Sequence, residues 1–178
     1  MWKITKEFHF EYGHRVWNQD LVEEFSGCSI NSCRHLHGHS GKILVTLEGE
    51  ELKNGMIFDF KNLDFIKKFI DESLDHKFIL DINDPMCDLL SLKLNQDYYY
   101  IRKQGYKIIN LDNPVYSGIP DIYKEYYASF VLVDFVPTSE NICKWLYDII
   151  QNRLKDTGIK VYSVKFYETV KSSSEYIG

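Results

Sequence analysis

His37-Gly38-His39-Ser40-Gly41-Lys42-Ile43-Leu44-Val45-Thr46-Leu47-Glu48 changes character residue by residue. His37, His39, Ile43, Val45 and Leu47 share one parity; Ser40, Lys42, Leu44, Thr46 and Glu48 share the other. That is the period of a half-buried strand. Upstream, Phe8, Phe10, Tyr12 and His14 repeat the pattern, with His9, Glu11 and Gly13 opposite them. The polar loop 15–36, which holds Cys28 and Cys33, joins the two strands. Glu48-Gly49-Glu50 and Lys53-Asn54-Gly55 read as turns.

Working outward, Asp59 is the expected N-cap of a helix in which Leu63, Ile66, Ile70 and Leu74 recur at steps of three and four. Pro137-Thr138-Ser139-Glu140 opens a second helix, with a capping hydroxyl and an acid in the first turn. Ile142, Trp145, Leu146, Ile149 and Leu154 form its apolar face, and Gly158 would end it. A strand over roughly 160–170 follows, with Tyr162, Val164, Phe166 and Glu168 on one face. Ser172-Ser173-Ser174 then reads as a turn before a short final strand, Glu175 to Gly178. The order ββααββ predicts an α+β protein with an antiparallel four-stranded sheet and two helices. Residues 85–136 break the pattern and hold eight of the thirteen tyrosines. So long a structureless loop is unusual in a compact domain. The segment is therefore expected to fold, as an added helix or hairpin ending in a strand Phe130 to Val136. The whole chain, 1–178, is read as one domain carrying this insertion.

The formal charge of −5 argues against nonspecific nucleic-acid binding, which needs a basic surface; a local basic pocket stays open. No apolar run approaches the ~20 residues of a membrane-spanning helix. The N-terminal residues lack the apolar core of a secretory signal. Four cysteines in 178 residues do not make a disulfide scaffold. The expected setting is soluble, reducing and cytoplasmic.

The chemistry concentrates early: five of the six histidines lie between positions 9 and 39. His37 and His39 project from the same strand face roughly 7 Å apart at Cα. Their imidazoles can converge on one ion at ~2.0–2.1 Å, with His14 on the preceding strand as third ligand. Three imidazoles on Zn²⁺ leave an open fourth position, the pattern of a catalytic site. Gly38 between them allows close approach. The alternative is surface or core histidines holding no ion, to which His9 and His35 are assigned. Cys33, four residues before His37, is either an activated base or a fourth zinc ligand that closes the site; Cys28 has the same ambiguity. Cys87 and Cys143 read as ordinary thiols. Asp75-His76 follows the first helix, where a histidine is also favoured by the dipole alone. Glu168 is an acid on an otherwise apolar face and needs a partner, such as the paired N–H donors of a pterin or guanine ring, or else lies at an exposed strand end.

Six segments carry a resemblance: Phe10-Glu11-Tyr12-Gly13-His14-Arg15, Cys33 through Ser40, Gly55-Met56-Ile57-Phe58-Asp59-Phe60, Leu74-Asp75-His76, Pro137-Thr138-Ser139-Glu140-Asn141 and Tyr167-Glu168-Thr169. In order and spacing they resemble the 6-pyruvoyltetrahydropterin and 6-carboxytetrahydropterin synthase superfamily over Phe8 to Gly178, residues 85–136 excepted. The resemblance implies the tunnelling fold, in which two-helix, four-strand subunits join edge to edge into a multimeric barrel, commonly a hexamer, with active sites at subunit interfaces. It also implies that His14, His37 and His39 bind zinc and that Cys33 is the proton-abstracting base. Asp75 and His76 would be relay partners from across the interface. Glu168 would anchor the pterin and join the relay, and Thr138, Ser139 and Glu140 would help hold the pterin. Arg15, Arg34 and Lys42 are candidates, by proximity, for the triphosphate. The spacing from Cys33 to His37 and His39 resembles the carboxy branch of queuosine (7-deazaguanine) biosynthesis. That branch converts 7,8-dihydroneopterin triphosphate to 6-carboxy-5,6,7,8-tetrahydropterin, acetaldehyde and triphosphate. The alternatives are a 6-pyruvoyltetrahydropterin synthase of a biopterin-type route and a noncatalytic zinc-stabilised pterin-binding module. A metallohydrolase is a weaker rival, because His35-Leu36-His37-Gly38-His39 lacks the neighbouring aspartate of such sites.

Overall fold

The computed structural model describes residues 1–27, 30–93 and 100–178, with the side chains of 100–103 left aside. In chain order the elements are β1 (Trp2–His14), α1 (Glu23–Ser26), β2 (His37–Gly49), α2 (Asp64–Ser73), β3 (Lys77–Asp81), α3 (Met86–Leu89), β4 (Tyr100–Lys103), β5 (Tyr106–Ile109), α4 (Asp121–Ala128), β6 (Phe130–Val133), α5 (Ser139–Leu154), β7 (Lys160–Tyr167) and β8 (Ser173–Ile177). They form two compact units, one of Met1–Tyr12, His39–His76 and Ser139–Gly178, the other of Gly13–Gly38 and Lys77–Thr138. No described helix is long and apolar enough to cross a membrane.

In the first unit the strands run in the order β1-β2-β7-β8. Side-chain contacts set β1 against β2: Thr5 Oγ1 lies 2.9 Å from Thr46 Oγ1, Ser40 Oγ donates to Glu11 Oε2 at 2.8 Å, and the Tyr12 and His39 rings are 5.8 Å apart. All three fall in one antiparallel register. It puts Phe8, Phe10 and Tyr12 on the same buried side as Ile43, Val45 and Leu47, as the alternation predicts. Fully burying one such side chain contributes about 1.5–3 kcal/mol.

β7 departs from simple alternation. Val161 pairs with Leu47 and Val164 with Val45, the register shifting between Thr46 and Leu47. The extra residue in β7 is a bulge, so Val161, Val164 and Phe166 all reach the core. β7 ends at Tyr167 and β8 begins at Ser173. Glu168 therefore opens the turn and does not sit on the strand face. Ser173 and Ser174 belong to β8, and the turn is 168–172. Asp59 does cap, accepting from Lys61 N–H at 2.8 Å, but it opens a 3₁₀ turn, Phe60–Leu63, that leads into α2. Ile66 and Ile70 of α2 are buried, as are Ile142, Trp145, Leu146 and Ile150 of α5. Phe69 and Trp145 meet edge to face at 6.0 Å.

The second unit corrects the strand count. The described chain has eight strands, and β3 to β6 lie here in the order β4-β5-β6-β3. β4–β5 and β5–β6 are antiparallel, but β3–β6 is parallel, Phe78 opposite Phe130 and Leu80 opposite Leu132. Parallel neighbours need a long crossover, and the chain between β3 and β6 supplies it. Leu80, Cys87, Leu92, Ile109, Tyr116, Phe130 and Leu132 form this unit's core. The expected strand over 130–136 is shorter, Phe130–Val133. Strands of four or five residues are too short for a period to register. Phe78, Ile79 and Leu80 are moreover a continuous apolar run, the mark of burial on both faces. Tyr98 and Tyr99 of the Tyr-rich run lie outside the described residues.

Gly13, buried near the end of β1, lies against Phe78, and a Cβ there would overlap the phenyl ring. Gly13→Ala is expected to destabilise the fold by about 1–3 kcal/mol through overpacking, read as a lower urea midpoint with an unchanged slope.

Candidate metal and active site

His14 ends β1 and is fully buried; His37 and His39 open β2 and are half-buried. One ligand atom from each lies within 4.8 Å of the others. The His14 and His37 rings are 4.5 Å apart between centroids, continuing the β1–β2 register. His14 Nδ1 is 2.7 Å from the Pro137 carbonyl oxygen, and His37 Nδ1 is 2.8 Å from that of His35. A carbonyl only accepts, so both Nδ1 atoms carry the proton and, in the neutral ring, the lone pair is on Nε2, the atom that would face an ion. Backbone carbonyls in this role are the usual outer partners of metal-bound histidines. The donor set therefore fits a divalent ion such as zinc.

Cys33 is not a member of this cluster. Among the described residues the ligand group consists of His14, His37 and His39. Cys33 lies half-buried in the 3₁₀ turn Ser32–Arg34. Its N–H donates to Gln19 Oε1 at 3.0 Å, and its carbonyl accepts from Val16 N–H at 2.8 Å. Arg34 Nε donates to the Gln19 carbonyl at 2.8 Å. The Cys28 reading lies outside the described residues. Burial pushes the Cys87 thiol up to about 12, and it also raises that of Cys143, whose Sγ donates to the Val164 carbonyl at 2.8 Å. Both thiols therefore stay protonated and serve packing.

Glu168 Oε1 lies 3.8 Å from His39 Nε2, too long for a hydrogen bond but within electrostatic reach. Tyr12, on the same strand face as His14, completes this corner. Burial, with the Glu168 charge adding, drives its hydroxyl far above the ordinary tyrosine value. In the sequence Tyr12 stands on the alternating strand face and within the Phe10–Arg15 segment without a role of its own; its signal is its place two residues before His14 on one parity.

Asp75 and His76 do form a pair: His76 Nδ1 is 3.0 Å from Asp75 Oδ2. Asp75 Oδ1 accepts the Glu11 N–H at 2.9 Å, and the Glu11 carbonyl accepts His76 N–H at 2.7 Å. His76 has φ +57, an uncommon left-handed conformation for a residue with a side chain. The two backbone-directed bonds hold that turn and present the imidazole to the outside, 78% exposed. The bond from Glu11 N–H lowers the Asp75 carboxyl below the usual range, and the His76 bond adds to it.

Ser139 opens α5, its Oγ 3.4 Å from Glu140 Oε2, and Thr138 N–H donates to the Val136 carbonyl. Of the candidate cations, Arg15 is engaged with Asp84 at 3.0 Å and Lys42 lies over the Tyr167 ring at 4.5 Å. A cavity of about 820 Å³ in the first unit is lined by Glu48, Lys53, Asn54, Ile57, Asp59 and Lys160 among others, and by none of the histidines, Cys33, Asp75 or Glu168.

This is an α+β chain in which strand register gathers three imidazoles that could hold one ion, beside a carboxylate. The chain belongs to the 6-pyruvoyl tetrahydropterin synthase family, whose model matches residues 3–178. A relative from Aquifex aeolicus named 6-carboxy-5,6,7,8-tetrahydropterin synthase is 33% identical, the match covering 98% of this chain and 97% of the relative. The crystal structure of an uncharacterized protein from Wolinella succinogenes superposes with a TM-score of 0.93 at 44% identity, covering 99% of this chain and 98% of that one. A 6-pyruvoyl tetrahydropterin synthase from Caenorhabditis elegans, at 18% identity, TM-score 0.57 and coverage of 99% and 94%, shares the fold.

The depressed Asp75 carboxyl makes a pH prediction. Its folded value lies below its unfolded one, so its stabilisation is present above the unfolded value of about 3.9 and is lost as pH falls through the folded value. The urea midpoint of Asp75→Asn should lie below that of wild type at neutral pH, and the gap should close under acid. A gap that persists unchanged at low pH would mean that the charge is not the cause.

Proposed function

We propose that this chain is a zinc-dependent lyase that converts 7,8-dihydroneopterin triphosphate and water to 6-carboxy-5,6,7,8-tetrahydropterin, acetaldehyde and triphosphate, within queuosine (7-deazaguanine) biosynthesis. The observation that carries the reading is the three-histidine cluster, with two of its rings held in one tautomer by backbone carbonyls. The near full-length likeness to the Aquifex aeolicus synthase supports the carboxy branch. The whole chain acts as one synthase domain in this reading, with the Tyr-rich segment as an insertion.

His14, His37 and His39 would hold the zinc. Bound there, zinc supplies Lewis acidity, polarising the substrate's side-chain oxygens and acidifying the adjacent C–H. Cys33 is the base that takes this proton; its position outside the ligand cluster supports that role over a fourth ligand. Asp75 fixes the His76 imidazole through Nδ1, so that Nε2 can exchange a proton with a thiol. The exposure of His76 suits a relay that serves the site of a neighbouring copy, in a homo-oligomer, a hexamer by family likeness, with active sites at subunit interfaces. Glu168 accepts the paired N–H donors of the pterin ring, and Thr138, Ser139 and Glu140 complete its seat. The expected setting is cytoplasmic.

Zinc-loaded protein incubated with 7,8-dihydroneopterin triphosphate is expected to release 6-carboxy-5,6,7,8-tetrahydropterin and acetaldehyde, read by mass spectrometry and an aldehyde assay. Pyruvoyltetrahydropterin without acetaldehyde would move the enzyme to the biopterin branch. Cys33→Ala is expected to keep stoichiometric zinc while turnover falls by about 10²–10⁴. His14→Ala should lose the zinc itself. Zinc loss in Cys33→Ala would return that thiol to the coordination shell and sink the base assignment.

A further inference from the structure

Two buried carboxylates at the exit of β3 have no part in the reading above. Asp81, at the end of β3, is 3% exposed, and Asp84 is fully buried. Asp81 Oδ1 accepts from Asn83 N–H and Asn83 Nδ2, at 2.9 and 3.0 Å, while its Oδ2 accepts from Trp17 Nε1 at 3.0 Å. Asp84 Oδ1 accepts from Met86 N–H at 2.8 Å, and its Oδ2 pairs with Arg15 Nε at 3.0 Å. Each carboxylate thus spends one oxygen on its own turn and the other on the chain just after His14.

That chain in turn holds Cys33. Val16, between Arg15 and Trp17, donates its N–H to the Cys33 carbonyl, and Gln19 accepts the Cys33 N–H and the Arg34 guanidinium. A continuous path therefore runs from Asp81 and Asp84, through Arg15 and Trp17, to Val16 and Gln19, and ends on Cys33. Arg15, the link from Asp84, is the immediate neighbour of His14. Buried charges at this depth are costly unless paired. An arm tied to them cannot shift without leaving a carboxylate unpaired, which is why the pairing gives positional stiffness to a segment that is otherwise polar loop.

We infer that Asp84 and Asp81 are positioning residues for the reaction: through Arg15 and Trp17 they set where His14 and Cys33 stand. The inference rests on the reading of His14 as a zinc ligand and Cys33 as the base. It assigns Arg15 to Asp84 and not to the triphosphate, despite its place in the sequence.

The test uses the full chain with Asp84→Asn, Arg15→Gln, their double variant and Trp17→Phe, and Ile66→Val in α2 as a control for stability loss alone. Four quantities are read: zinc affinity by chelator competition, the iodoacetamide alkylation rate at Cys33 by peptide mass spectrometry, the thermal midpoint of the zinc-free protein, and kcat against KM. Asp84→Asn is expected to weaken zinc about tenfold, the lower end for loss of an outer-shell partner, to speed Cys33 alkylation severalfold, and to lower kcat with little change in KM. The double variant should weaken zinc no further than either single, because the two act as one unit. If Asp84→Asn does not fold, Trp17→Phe, which removes a single hydrogen bond, carries the test with the same directions. Zinc affinity and alkylation that change no more than in Ile66→Val would reduce the pair to ordinary structure and overturn the inference. Wild type that binds zinc and ignores the pterin substrate would reject the proposed function alone. Wild type that binds no zinc would reject the metal reading, and the Cys33 alkylation comparison would still decide the positioning role.

Discussion

The register of β1 against β2 is the constraint on which the site depends. Thr5 with Thr46, Glu11 with Ser40, Tyr12 with His39 and His14 with His37 are successive expressions of one alignment. A slip by one residue would turn every side chain of a strand to the other face. It would expose Phe8, Phe10 and Tyr12 and also carry His14 away from His37. Apolar burial along most of the strand pair therefore holds imidazoles together at its end. The histidines need contribute little to stability, because the core residues specify where they stand.

Alignment of strands does not place a loop, and the residues between His14 and His37 are mostly polar, with no buried residue in α1. Their order comes from specific bonds. Gln19 ties the segment after His14 to the turn that holds Cys33, and the buried carboxylates Asp81, at the end of β3, and Asp84, just beyond it, tie the same segment to a rigid element. The parallel pairing of β3 with β6 gives that element its burial. A short strand thereby helps to locate a turn far from it in the sequence. The Asp75–His76 turn follows the same logic. A left-handed residue is held by two bonds to Glu11, and Glu11 is itself fixed in β1.

Sequence alone was enough for the long alternating strands, the two main helices and the His37–His39 pair, because each depends on a local period or a short spacing; His14 was legible as their third member only through its parity on the preceding strand, and the β1–β2 register brings it there. Phe8 to His14 and Ile43 to Leu47 state their buried faces directly, and His37-x-His39 states its own geometry. Tertiary structure decided the rest. The bulge in β7 is a property of two strands together, so neither strand's own pattern reveals that Val161 and Val164 share a face. β3 to β6 are too short to show a period. β6 falls within the strand expected over 130–136, and β4 with β5 is a hairpin of the kind expected in that segment, but β3 pairs with β6 far along the chain and emerged only from the folded protein. Asp75 beside His76 was visible as a neighbouring pair, but the left-handed turn that makes it a hydrogen-bonded dyad depends on Glu11, 64 residues away. Asp84 and Arg15 were visible as charges; that they neutralise each other in a buried site was decided by long-range packing, which carries no signature in local sequence.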